Sequence, residues 1–222
     1  LNMVSKHSTE KAAAHLCDCF TTVSDITARE CAQLLDKQPH VVTPNGFEDD
    51  FVPKGRKFSN KRKVAREKLR SVAETLFSEK LDEDALFICT AGRYEYKNKG
   101  IDILIEGLKY SSQSENLKKQ VVAFIMVPGW IKGHRNDLAS CLVNGTKLYS
   151  HNRITTHELH DFYNDNVMSA LNWFHLFNQP NDKVKVIFVP SYLNGNDGIF
   201  NIPYYDLLIG MDLSIFPSYY EP

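Results

Sequence analysis

The sequence predicts an α/β protein built from two doubly wound blocks with parallel sheets, and three observations carry that expectation. Apolar runs rich in Val, Ile and Phe (ALFICTA, VVAFIMVP, KVKVIFVPSY) alternate with segments of helical periodicity. Strands joined through helices pair in parallel with right-handed crossovers. A shorter block of the same kind occupies the first 46 residues, set apart by the polar stretch EDDFVPKGRKFSN. Finally, AGRYEYKNKG gathers three cations at a point where a strand stops and a helix starts. Open α/β sheets bind ligands at such points, where the next helix offers unpaired backbone N–H groups.

The elements follow in order. TEKAAAHL (9–16) is Ala-rich and helix-favouring. CFTTV reads as a short buried strand, and Ser24 after it can N-cap the helix ITARECAQLLDK. Its Ile26, Ala28, Cys31, Ala32, Leu34 and Leu35 recur at helical spacing. HVVTPNGF is a second short strand closing on a Pro-Asn-Gly turn. EDDFVPKGRKFSN reads as a linker, and KRKVAREKLRSVAETLFSEKL as a helix with Val64, Leu69, Val72, Ala73 and Leu76 inward. Lys54 to Arg70 holds nine basic residues and one acidic one. That imbalance reads as a solvated face, with contact to an anionic or polymeric partner as the alternative.

ALFICTA is then a strand, IDILIEGLKY a helix and VVAFIMVP a strand. Residues 130–176 lose strand character and are too long for an ordinary connection, so they read as a helical insertion. KVKVIFVPSY is a strand, IPYYDLLIGM a short helix, and DLSIFPSYYEP a strand. The predicted division is 1–48 for the end of a first domain and 49–222 for a second one. Both ends of the chain read as cut within elements, so it reads as an internal piece.

Composition excludes several classes. A net charge of -1 over 222 residues gives no electrostatic footprint for nucleic acid. No apolar run approaches the roughly 20 residues that cross a bilayer. The five cysteines show no CxxC pairs, which reads as a reducing, cytoplasmic setting, with Cys89 in the core. His151, His157 and His160 are spaced H-x5-H-x2-H, with His175 beyond, but lack Cys or acidic ligands at metal-site spacing.

The chemistry concentrates at two strand ends. In AGRYEYKNKG, Gly92 lets the backbone turn and Arg93 offers a rigid fork for phosphate. Lys97 and Lys99 add mobile ammonium groups, and Gly100 opens the helix. The stretch lacks both GxGxxG and the P-loop pattern. The other strand end, PSYYEP, carries Glu221 among tyrosines and prolines. A sugar nucleotide would give the cations a diphosphate and give Glu221 an anomeric carbon.

GRYEYKNKGIDILIEGL, TTVSDITARE, VTPNGF, FVPSYLN and FPSYYEP together resemble the glycogen synthases of the animal and fungal type. The resemblance implies a GT-B glycosyltransferase with two Rossmann-like domains, of which this chain holds the end of the first and most of the second. Such enzymes transfer glucose from UDP-glucose to the non-reducing 4-hydroxyl of an α-1,4-glucan such as glycogen, with retention. Arg93 and Lys99 would hold the donor diphosphate, so neither metal nor other cofactor is expected. Glu221 would be the first glutamate of the family's E-x7-E motif, whose second falls beyond Pro222. Tyr204, with Tyr205 as its neighbouring competitor, would stack on the uracil, and Tyr220 joins the substrate-binding set. Lys97 and Asn98 would shape the loop. Residues 130–176 fall in a region the family uses for packing between subunits, which implies a homo-oligomer. Another GT-B glucosyltransferase (ADP-glucose, sucrose or trehalose type) and a non-catalytic nucleotide-sugar-binding module are the alternatives.

Overall fold

The computed structural model describes residues 3–219, so Tyr220 and Glu221 lie outside the described residues. The chain divides into two compact units, Leu1–Pro53 and Lys54–Pro222.

The first unit runs α1 (Val4–Leu16), β1 (Thr21–Thr22), α2 (Asp25–Leu34) and β2 (Val41–Val42). β1 and β2 pair in parallel, Thr21 with Val41 and Thr22 with Val42. Ser24 caps α2 as its sequence position suggests, its Oγ accepting from the Thr27 N–H at 3.1 Å.

The second unit holds α3 (Gly55–Phe77), β3 (Leu86–Ala91), α4 (Ile101–Ser112), β4 (Val121–Met126) and β5 (Ile131–His134). It continues with α5 (Asn136–Asn144), β6 (His157–Leu159), α6 (Asn166–Trp173), β7 (Val184–Phe188), α7 (Tyr204–Leu208) and β8 (Leu213–Ser214). Four strands form one parallel sheet in the order β7-β4-β3-β8. Side chains alternate across a strand, so each buried strand feeds two cores. On β4, Val122, Phe124 and Met126 join α3, α5 and α7 on one face. Val121, Ala123 and Ile125 join α4 and α6 on the other.

Several details depart from the sequence reading. α3 begins at Gly55, so GRKFSN is helical and the linker is shorter than expected. Val64 is 58% exposed rather than inward, while Leu69, Val72, Ala73 and Leu76 are buried. The basic face of α3 is also more than a solvated face. Arg62 donates to the carbonyls of Ile209 and Met211, both at 2.7 Å, and to Asp212 at 2.8 Å. Arg66 donates to the Gly210 and Ala85 carbonyls and to Asp212 at 2.6 Å. Arg70 caps the carbonyls of Leu81, Asp82 and Glu83, and Lys61 pairs with Asp206 at 2.6 Å. These side chains supply donors to loop carbonyls, where regular backbone ladders do not run. Gly210 permits the approach, since a Cβ there would press on Leu69 and Ala65 of α3.

Residues 130–176 contain α5 and α6, and also strand structure that the sequence did not signal. β5 and β6 pair antiparallel, Ile131 with Leu159 and His134 with His157. Arg135, 4% exposed, organises the stretch by bonding Asp137 and the carbonyls of Asn152 and Thr155.

Asp212 is the junction of these contacts, because its carboxylate also accepts the Phe87 N–H at 2.8 Å. Partial burial pushes this carboxyl up, but the Phe87 N–H and the Arg66 and Arg62 guanidiniums outweigh it and hold it below the usual carboxylate range. Asp212→Asn is expected to destabilise the chain by about 1–3 kcal/mol at neutral pH in urea unfolding. A depressed carboxylate contributes fully above its unfolded pKa of about 3.9 and loses that contribution as pH falls through the lower folded value. The gap between wild type and variant therefore closes on acidification below about pH 4.

Candidate functional site

Sheet order locates the site. The chain leaves β3 toward β4, then β7, and returns last to β8 on the other side of β3. Loops leaving neighbouring strands across such a reversal separate and open a crevice at their carboxyl ends. Here those loops are residues 92–100 after β3 and 215–219 after β8. They are the two stretches in which the sequence concentrated its chemistry.

The two loops are bonded to each other. The Asn98 carbonyl accepts from the Ser218 hydroxyl at 3.0 Å and from the Tyr219 N–H at 3.1 Å. Gly100 sits at φ +64°, and a Cβ there would run into the Pro217 carbonyl. Lys97 pairs with Asp102 in the first turn of α4 at 2.7 Å, and the Asn98 amide donates to Glu95 at 2.7 Å. Lys97 and Asn98 thus act within the loop. Arg93 remains 76% exposed in its side chain, its guanidinium 2.9 Å from Glu95. The Asn98 amide chiefly holds the Glu95 carboxyl below its usual range, slight burial opposes it, and Arg93 and Lys99 add to the lowering. Glu95 is therefore a carboxylate between the two cations, a feature the sequence reading did not assign. The alternation of charge in RYEYK was its only signal.

Two cavities meet at Arg93. One, of about 520 Å³, is lined by Ala91, Gly92, Arg93, Tyr94, Met126, Pro128, Ser191, Tyr192, Leu193, Asn194 and Tyr204. The other, of about 470 Å³, is lined by Thr90, Ala91, Gly92, Arg93, Lys99, Phe216 and Ser218. The first is mostly apolar and aromatic, which suits a flat heterocycle. The second carries both cations, Arg93 and Lys99. Tyr204 is on the wall of the larger cavity, while Tyr205, 60% exposed and 5.1 Å from it between ring centres, is not. Burial pushes the Tyr204 phenol up to about 12, with Cys89 and Tyr205 adding to it, so the hydroxyl stays neutral at physiological pH.

The histidines take other roles. His157 is buried, its ring bonded to the Thr156 hydroxyl and the Asp197 carbonyl, and burial lowers its pKa. Among the described residues no His, Cys, Asp and Glu group is arranged to hold a metal ion. No described helix is long and apolar enough to cross a membrane.

Gly100 is the residue on which the loop junction turns. Gly100→Ala is expected to cost at least about 1–2 kcal/mol, from the left-handed backbone alone, before the contact with Pro217 is counted. Thermal unfolding checks the loss. Separation of the two loops should appear as faster amide exchange at Tyr219, whose N–H bonds the Asn98 carbonyl.

Comparison with known proteins identifies the family. The glycogen synthase family model matches residues 2–140 and 131–222. The chain is 32% identical to glycogen (starch) synthase isoform 2 of Saccharomyces cerevisiae, over 98% of the chain and 40% of that protein. It is 29% identical to the glycogen (starch) synthase of Neurospora crassa and 29% identical to the liver enzyme of Rattus norvegicus, again over 98% of the chain. The chain spans about two-fifths of the length of these relatives. The yeast alignment runs over 281 residues, so that protein carries residues within the matched region that this 222-residue chain lacks. With a family model matched along nearly its whole length, the chain belongs to the glycogen synthase family.

Proposed function

We propose that this chain supplies the donor-binding part of a glycogen synthase that moves glucose from UDP-glucose to the non-reducing 4-hydroxyl of an α-1,4-glucan, with retention. In that transfer the bond from the anomeric carbon to the β-phosphate oxygen breaks. A bond to the acceptor oxygen forms on the same face, and the hydroxyl proton ends on the departing UDP. The observation that carries the reading is the junction of the 92–100 and 215–219 loops, which sets Arg93 between an aromatic cavity and a cationic one.

Each residue has a part in this scheme. The uracil takes the larger cavity against Tyr204, and the diphosphate crosses Arg93 toward Lys99. As the leaving group gains charge, a guanidinium and an ammonium fixed near it stabilise the transition state more than the ground state. That role replaces a divalent metal. The donor phosphates displace Glu95 from Arg93, which exchanges one anionic partner for another. Glu221 follows the second loop directly in sequence. In this proposal its carboxylate serves the donor glucose, stabilising positive charge at the anomeric carbon or orienting a sugar hydroxyl, and Tyr220 belongs to the substrate-binding set. The two compact units correspond to the end of one Rossmann-like domain and most of a second, in a GT-B arrangement. A cytoplasmic setting fits the five free thiols.

The test uses the complete protein and labelled UDP-glucose with glycogen as acceptor. Arg93→Ala and Lys99→Ala are each expected to lower kcat by about a hundredfold or more. The melting temperature of Arg93→Ala should be nearly unchanged, because an exposed strand-end cation adds little to the core. Transfer at wild-type rate in both variants would reject the assignment.

A further inference from the structure

The chain carries an aromatic platform beside the donor cavity that the reaction scheme above does not use. Trp130 directly precedes β5, with 73% of its surface exposed. Its ring is stacked on His160, with centres 4.4 Å apart and planes 23° from parallel. One face of the indole is therefore covered and the other is open. The backbone beneath it is fixed on both sides. The His160 N–H donates to the Trp130 carbonyl at 3.0 Å, and the Gly129 N–H donates to the Pro190 carbonyl at 3.1 Å. A Cβ on Gly129 would press on Pro190 and touch Tyr94, so the turn sits directly against that ring.

A cavity of about 260 Å³ opens at this platform, and its other walls include Tyr94, Asp161, Asn164, Asp165 and Asn166. Asp161, Asn164 and Asn166 are exposed. Asp161 is oriented by two donors, the backbone N–H and side-chain amide of Asn164, at 3.0–3.2 Å. An ionised carboxylate offers about four acceptor positions, so hydroxyl donors can still be received. Tyr94 lines both this cavity and the donor cavity at Arg93, so the two sites share a wall.

A rigid, half-open indole ringed by carboxylates and amides suits one ligand chemistry. A pyranose ring offers a flat C–H face to the indole and a belt of hydroxyls to the polar rim. The exposed polar groups at the rim, Asp161, Asn164 and Asn166, favour such a ligand over a protein partner docking on the tryptophan. The volume lies below the ~300 Å³ at which drug-sized pockets begin, which suits a single sugar ring. We propose that Trp130, stacked on His160 and flanked by Asp161 and Asn164, forms a carbohydrate subsite that holds a glucose unit of the α-glucan acceptor next to the donor cavity. The identity of the sugar polymer rests on the function proposed above, and the test separates the two.

The experiment compares the complete wild-type protein with Trp130→Ala, Trp130→Phe and Asp161→Asn. Affinity electrophoresis in gels containing glycogen needs no turnover and reads the subsite alone. Calorimetry with UDP reads the donor site. Trp130→Ala should weaken retardation by glycogen about tenfold, the scale of a truncated aromatic anchor. Trp130→Phe should recover most of it, Asp161→Asn should fall between, and UDP affinity should be unchanged in all three. In transfer assays the same variants should raise the KM for glycogen and leave kcat near wild type. Unchanged retardation in Trp130→Ala would overturn the subsite, and so would a matching loss of UDP affinity, which marks a structural role. A wild-type protein that is retarded by glycogen through Trp130 yet transfers no glucose would reject the proposed function and keep the subsite.

Discussion

One carboxylate, Asp212, holds the second unit in the form that its site requires. It accepts from the Phe87 N–H of β3 and from Arg62 and Arg66 of α3. β8 pairs with β3 through only Ile88–Leu213 and Cys89–Ser214. A two-residue strand at a sheet edge is a weak element by itself. The clamp supplies what the short ladder lacks, and flanking backbone bonds extend it, Asp212 N–H to the Phe87 carbonyl and Ile215 N–H to the Cys89 carbonyl. β8 is thereby fixed in register beside β3, and the loops after both strands leave the sheet at the same level. A shift of one residue would turn every side chain of β8 to the opposite face.

That register explains the character of the site. Arg93 and Lys99 sit on a loop whose interior is already bonded through Lys97–Asp102, Asn98–Glu95 and the Asn98 carbonyl. Cations on a pre-bonded loop need little reorganisation when charge develops nearby, which is the condition for electrostatic catalysis. Glu95 limits the repulsion between the two cations, pairing with Arg93 and feeling the charge of Lys99. The aromatic cavity adds binding area without charge, so in the proposed scheme recognition of a base and neutralisation of phosphates reside in separate places that share Arg93. Trp130 extends the same edge with a surface suited to sugar.

Much of this was legible in the sequence, and the rest was hidden for identifiable reasons. The runs LFICTA, VVAFIM and VKVIF announced buried parallel strands because both faces of such strands are covered and continuous apolarity results. The cations of RYEYKNKG were legible because a strand end followed by a helix start is a local pattern. The role of α3 was not, because its arginines bond carbonyls and a carboxylate more than a hundred residues away, at 209–212. Lys185 reads as a polar interruption in KVKVIF, yet it is fully buried, its ammonium 2.6 Å from Glu79 and bonded to the Gln179 carbonyl. No propensity encodes such a pair. β5 and β6 escaped notice because each is only three or four residues long and they pair across more than twenty. Trp130 escaped for the opposite reason, since its surroundings at 160–166 are distant in sequence and adjacent only in the fold.

The central claim is that the two bonded strand-end loops form one site whose affinity comes from phosphate charge at Arg93 and Lys99. Calorimetric titration of the complete protein with uridine, UMP and UDP at low and high ionic strength tests it most directly. The account predicts affinity rising steeply from uridine to UDP, with the UDP increment weakening as salt screens exposed charge. Equal affinity for uridine and UDP, or a UDP increment indifferent to salt, would contradict it.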